Sequence, residues 1–389
     1  MIRNVKIYHM FNSKGEDTLK VKVWTLNHSY TASIPSGTSK GKNEAKEISF
    51  EKTFRIFPKI REDLVGLDET DWITTDKILE QADGTKNFSR IGIGLALGIS
   101  LAVAKAASNG ELWRLEGPKN KFFFPYPIGN VIGGGKHGGS TSFQEFLVIP
   151  HRAKDPLEAA RTNFGVWKNV GEELKKKGVL LGRNIENAWM SKLDETKTLN
   201  LLSEIAEDFD VRIGIDVAAS SFWDGRKYKY KDKTIDPADH LELLALFAKM
   251  FKLYYIEDPF HEDDFEGFAE LTKRLKNTLV VGDDLYCTNP DSIRKGIKLH
   301  SSNAVIIKPN QLGTLYQVQK VIDIIHDNNM VPVASHRSKE TEDDWLVDLS
   351  ILWRMPIIKI GNMGPDLPKH NRLVELWGDI PHNEMARLP

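Results

Sequence analysis

Six short apolar runs, each stopping on a residue that can do chemistry, constrain this chain more than any other feature of its sequence. They are VRIGID from 211, LYYIED from 253, LVVGDD from 279, AVIIKP from 304, VPVASH from 331 and PIIKIG from 356, and they stop on Asp216, Glu257, Asp283, Lys308, His336 and Lys359. Each run is apolar enough for a strand buried on both faces, the signature of a parallel sheet. The segments between them have helical spacing: Leu315, Val318, Ile322 and Ile325 share one face, as do Leu241, Leu244, Phe247 and Phe251. A further strand around Phe143 to Ile149 brings the count towards an α/β fold of the (β/α)8 TIM-type barrel class, with an open doubly wound sheet as the structural alternative.

In a barrel the C-terminal strand ends face one common site, so these six side chains are expected to converge. Asp216, Glu257 and Asp283 on three successive strands offer hard oxygen ligands, and three close carboxylates repel one another without a cation. Mg²⁺ fits such a donor set best, with Mn²⁺ as a substitute. Lys308 and Lys359 lie inside apolar runs, IIKP and IIKI, where free solvation is poor. A lysine beside a bound cation has a lowered pKa and serves as a base.

Upstream the pattern differs. KVKVWTL and YTASI, between Val5 and Ile34, alternate as antiparallel strands. From Phe50 to Leu112 the spacing is helical, with Thr75, Asp83 and Gly84 placed like helix boundaries. The Pro-punctuated stretch PYPIGNVIGGGKHGG at 125–139 leads into a second domain, so a smaller α+β domain over 1–117 and a barrel over 118–389 are expected.

Charge and cysteine usage narrow the partners. With 53 Lys plus Arg against 54 Asp plus Glu, no global field attracts nucleic acid or an anionic membrane. One cysteine, Cys287, forms no internal disulfide, and the N-terminal MIRNVKIYHM lacks a signal-type apolar stretch, so the cytoplasm is the expected compartment. The apolar run Ile91–Ala104 is too short to span a bilayer and reads as a buried core helix. Its glycines, Gly92, Gly94 and Gly98, have no preceding strand and are not a dinucleotide loop, and Lys175–Lys177 reads as a solvated helix end.

Along nearly its whole length the chain resembles the enolase family, the phosphopyruvate hydratases of glycolysis. The resemblance is carried by PSGTSKGKNEA at 35–45, LALGISLAVAKAA at 95–107, QEF at 144–146, GIDVAAS at 214–220, IEDPF at 256–260, VGDDLYCTNP at 281–290, IKPNQLGT at 307–314, SHRSKETED at 335–343 and IKIG at 358–361. It implies an α+β domain capping a modified barrel, and reversible dehydration of 2-phosphoglycerate to phosphoenolpyruvate with two Mg²⁺ ions per site. Asp216, Glu257 and Asp283 would hold the first ion and Ser39, in the PSGTSKG loop, the second. Lys308 would be the base, Glu186 with Glu145 the opposing acid pair, and Lys359 the contact to the substrate carboxylate. His137, Gln144 and His336 would line the pocket, and Arg337 with Ser338 would hold the phosphate.

The sequence also has features of its own. The Glu186 loop reads NIENAWMSKL, the loop around His137 is one residue shorter than usual, and the early DSRGNPT-like motif reads NSKGEDT, with Lys14 in place of Arg. A short, archaeal-type member working as a homo-oligomer on a small phosphorylated carboxylate is expected. The alternatives are a paralogue that abstracts the α-proton of a different acid, and a scaffolding homologue that keeps the fold.

Overall fold

The computed structural model describes residues 1–38, 41–117 and 119–389. The alternation near the N-terminus produces an antiparallel sheet of β1 (Asn4–Phe11), β2 (Asp17–Trp24) and β3 (Ser29–Ser33). Its buried face, Val5, Ile7, Val21 and Val23, packs under helices α1 (Phe50–Leu64), α2 (Trp72–Asp83) and α3 (Ile93–Ala107). Twelve of the 15 residues of α3 are buried, so the apolar run is a core helix. Gly98 is needed in it, because a Cβ there would lie 2.5 Å from Val21 Cγ2. Helix α2 starts at the Asp71 cap and stops at Gly84, whose φ of 63° is the left-handed end that glycine favours. Thr75 was expected at a boundary and is instead a buried interior residue of α2, because Asp71 supplies the cap.

The remainder begins with β4 (Phe122–Phe124), β5 (Tyr126–Gly133), β6 (Glu145–Ile149) and α4 (Pro156–Lys176). A hairpin of β7 (Leu180–Arg183) and β8 (Trp189–Ser191) precedes α5 (Glu195–Phe209) and β9 (Arg212–Asp216). A small ribbon, β10 (Tyr228–Lys229) with β11 (Thr234–Ile235), leads to α6 (Pro237–Met250), β12 (Tyr255–Glu257), α7 (Phe265–Arg274) and β13 (Leu279–Gly282). Then come α8 (Pro290–Leu299), β14 (Ala304–Ile307), α9 (Pro309–Leu312), α10 (Leu315–Asp327) and β15 (Val331–Ser335). The chain finishes with α11 (Trp345–Leu352), β16 (Ile357–Lys359), α12 (Leu367–Asp379) and β17 (Asn383–Met385), which pairs with β4.

Among the described residues, eight strands close a barrel in the order β5, β6, β9, β12, β13, β14, β15, β16, with β16 pairing back onto β5. The six apolar runs are the six consecutive parallel strands from β9 to β16. Two features depart from the sequence pattern. The stretch read as a Pro-punctuated lead-in contains the barrel strand β5, and β6 runs antiparallel to both of its neighbours.

Period-two alternation divides each strand between two packing zones. Leu147, Tyr255, Val281, Ala304, Ile306, Val333 and Ile357 fill the interior, whereas Phe146, Ile256, Val280, Val305, Ile307 and Ile358 pack against the other core, under the helices. Both zones are dry, so truncating Ile306 to alanine would cost about 2–5 kcal/mol. Among the described residues, no helix is long and apolar enough to cross a membrane.

Candidate active site

The same alternation builds the site. Glu145, Asp216, Glu257 and Lys359 are each two residues along their strand from an interior apolar residue, Leu147, Gly214, Tyr255 or Ile357, and so share its inward face. They meet above the apolar plug. Lys359 Nζ lies 3.0 Å from Glu145, 3.0 Å from Asp216 and 2.8 Å from Glu257. Burial opposes the charged amine, but Asp216, Glu145 and Glu257 together hold its pKa well above the ordinary lysine range.

On β14 the alternation continues to Lys308, which pairs with Asp283 at the end of β13. Gln311 donates to the other Asp283 oxygen at 3.3 Å. Burial would lower the Lys308 pKa, and Asp283 more than reverses it. The side chains alone therefore do not produce the lowered lysine expected from the sequence, because each amine sits directly on carboxylates.

Four strands away around the closed barrel, Glu145 heads a second group. His137 Nδ1 is 3.9 Å from Glu145 and 3.5 Å from Glu186, and all three side chains can reach a common point. Burial, above all, raises the Glu145 pKa, whereas Glu186, also buried, is lowered by His137, His336 and Lys359. Glu186 sits in the turn between β7 and β8, and Asn184 Oδ1 shapes that turn by accepting the backbone N–H of Glu186 at 3.0 Å and of Ala188 at 2.9 Å. Trp167, on α4, donates its indole N–H to Asn187 O at 2.8 Å and stacks on Trp189, fixing the turn from behind.

The loop after β15 supplies His336, Arg337 and Ser338. His336 Nδ1 is 2.7 Å from Asp366, which also bonds Lys369 at 3.1 Å. Burial opposes the imidazolium, but Asp366, then Glu186 and Glu340, push the His336 pKa up to about 9. The Arg337 guanidinium is gripped by Glu44 at 3.1 Å and by Asn310 at 2.8 Å. Glu44 belongs to the N-terminal domain, whose Pro35 and Ser36 also bond Asn310 and Lys339, so that domain closes over the barrel mouth.

One cavity is lined by His137, Gln144, Glu145, Glu186, Asp216, Asp283, Lys308, His336, Arg337, Ser338 and Lys359. It brings together every expected site residue except two. Glu257 is fully buried and reached through Lys359, and Ser39 lies outside the described residues. Reading the sequence missed Glu44, Asp284 and Gln311, which line the same cavity, and Asp366 and Lys369 behind it. Two signals were available, since Asp284 is the second acid of VGDD and Glu44 directly follows PSGTSKGKN.

The donor set fits a hard divalent cation. Burial, then Asp216, raises Glu257 to about 7, and burial likewise raises Asp216, so the carboxylates are short of positive charge. Glu257 Oε1 is buried without a hydrogen-bond partner among the described residues. The carboxylates that converge most closely here are Asp258, Asp283 and Asp284, a group that shares only Asp283 with the expected ligand set, because Asp216 and Glu257 are drawn onto Lys359; Asp258 already accepts the backbone N–H groups of Asp283 and Asp284 at 2.9 and 2.7 Å.

A closed barrel with buried lysines and carboxylates gathered at one mouth, under an α+β cap, is the architecture of a barrel enzyme with an acid–base site. Residues 121–384 match the family described as "Enolase, C-terminal TIM barrel domain", and residues 2–115 match "Enolase, N-terminal domain". The enolase of Archaeoglobus fulgidus is 41% identical over 97% of both chains. The enolase of Methanothermobacter thermautotrophicus is 35% identical over 100% of this chain and 99% of its own, and that of Pyrobaculum aerophilum 37% over 96% of both. The chain belongs to the enolase family.

Proposed function

We propose that this protein is a hydro-lyase that interconverts 2-phosphoglycerate and phosphoenolpyruvate. The observation that carries the proposal is that Lys308, at the end of β14, and Glu145, on the diametrically opposed β6 with His137 and Glu186 beside it, line one cavity. An anti elimination across a carbon–carbon bond uses a base on one face and an acid on the other.

In this reading Lys308 takes the proton beside the substrate carboxylate, Lys359 stabilises the charge that develops there, and the Glu145–Glu186 pair with His137 protonates the departing hydroxyl. Arg337 and Ser338 hold the phosphate, and Gln144 and His336 line the pocket. Asp216, Glu257 and Asp283 would hold a Mg²⁺ ion and Ser39 a second. Bound there, the cations supply Lewis acidity to the carboxylate. The division near residue 118 is supported by the two matched regions on either side of it. A cytoplasmic homo-oligomer completes the proposal, on the strength of the family.

The test is an absorbance assay for phosphoenolpyruvate formed from 2-phosphoglycerate with Mg²⁺, repeated after chelation. Turnover that depends on the metal is expected, and an inactive protein with Mg²⁺ present would refute the assignment.

A further inference from the structure

The substitution in the NSKGEDT motif places a cation one hydrogen bond from Thr38, a residue of the cavity lining. Asn12 Oδ1 accepts the backbone N–H of Lys14 at 2.9 Å and of Glu16 at 3.1 Å, and Gly15 completes the turn with a φ of 71°. The turn is fastened to the barrel at two points. Ser13 N–H donates to Glu340 O at 2.7 Å, and Lys339 Nζ bonds Glu16 at 2.5 Å. Lys14 Nζ then donates to Thr38 Oγ1 at 2.7 Å, and that hydroxyl lies 2.8 Å from Ser338 Oγ. Thr38 and Ser338 both line the cavity.

Charge balance shows why this matters. Arg337 is already compensated by Glu44, Lys339 by Glu16, Lys369 by Glu340 and Asp366, and His336 by Asp366. Lys14 differs because its bond to the cavity lining is to a neutral hydroxyl. An ammonium has three donors and Thr38 takes one, so the amine can serve a dianion arriving at Ser338.

We propose that Lys14 is a substrate-binding residue whose ammonium contacts the phosphoryl group beside Arg337 and Ser338. This rests on the reading of Arg337 and Ser338 as the phosphate pocket. Held two hydrogen bonds from Ser338 Oγ, Lys14 adds the positive charge that the Arg337–Glu44 pair lacks.

The test uses the intact enzyme, with inorganic phosphate as a competitive probe. Lys14→Met is expected to raise both the KM for 2-phosphoglycerate and the phosphate inhibition constant about 10-fold, with kcat within about two-fold of wild type. Lys14→Gln, which can still hydrogen-bond Thr38 but is uncharged, should behave like Lys14→Met, and Lys14→Arg should restore both constants. Arg337→Lys in parallel separates the two levels of the argument. If it weakens phosphate inhibition while Lys14→Met does not, Lys14 is refuted and the pocket stands. If neither changes it, or phosphate does not compete at all, pocket and proposal fall together. A loss confined to kcat would make Lys14 a loop anchor and overturn the proposal.

Discussion

Lys308 and Glu145 face one another across the barrel, four strands apart in a closed ring of eight. The proposed base and the proposed acid group are thus held by separate walls and can be disabled separately. Lys308→Ala should abolish both exchange of the substrate α-hydrogen with D₂O and dehydration. Glu186→Gln should lower dehydration by roughly 10²–10⁴-fold while exchange continues. Proton NMR in D₂O beside the absorbance assay reads both, and a Glu186→Gln enzyme that dehydrates at the wild-type rate would move the acid to Glu145, whose pKa burial already raises.

The His336–Asp366 pair makes stability depend on pH. Since the folded pKa of about 9 lies above the ordinary value of 6.5, the pair stabilises fully below about pH 6.5 and its contribution is lost as pH rises through 9. Thermal midpoints should show His336→Gln destabilised relative to wild type at pH 6, with the gap narrowing by pH 9.5. A gap that widens with pH would contradict the assignment.

The turn that carries Glu186 is shaped from within by Asn184 and braced from behind by Trp167. Asn184→Ala strands two N–H groups and should cost about 1–3 kcal/mol by denaturant unfolding. Because the turn positions Glu186 but not Lys308, dehydration should fall more than D₂O exchange. Equal losses in both would mean that Asn184 supports the whole site rather than the acid.

Gly98→Ala tests the packing of α3 on the N-terminal sheet. In an exposed helix interior the change gains up to about 1 kcal/mol. Here the added Cβ meets Val21, so a net destabilisation of about 1–3 kcal/mol is expected, and Val21→Ala in the same chain should recover part of it. Unchanged or higher thermal stability in Gly98→Ala would refute the close approach.

Strands β9, β12, β13, β14, β15 and β16 were legible because a parallel strand covered on both faces has to be apolar throughout. Their ends were legible because six consecutive runs closing on reactive side chains are more than charges that merely begin loops would produce. Strand β5 was hidden by Pro127, Gly129 and Asn130, which made the stretch read as a Pro-punctuated lead-in to the second domain. Gly129 is there because a Cβ would lie 2.0 Å from Asn362 Oδ1, a contact with a residue 233 positions away that local pattern cannot reveal. The reversal of β6 was equally invisible, since composition carries no direction. Among site residues, Asp216, Glu257, Asp283, Lys308, His336 and Lys359 announced themselves by position at strand ends and Glu145 only through the family resemblance, whereas Glu44, Asp366 and Lys369 matter only through what they touch.

Because β6 descends while its neighbours ascend, its first residue, Glu145, stands at the mouth opposite Asp216, and its last, Ile149, is paired with Arg212 at the far end. The segment after it, from Pro150 to Asp155, consequently emerges on the face away from the chemistry, with Arg152 and Lys154 exposed. A reporter domain spliced there, or a circular permutation that opened the chain there, would enter the scaffold between the His137 loop and the Glu186 hairpin in sequence while staying a full strand length from both in space.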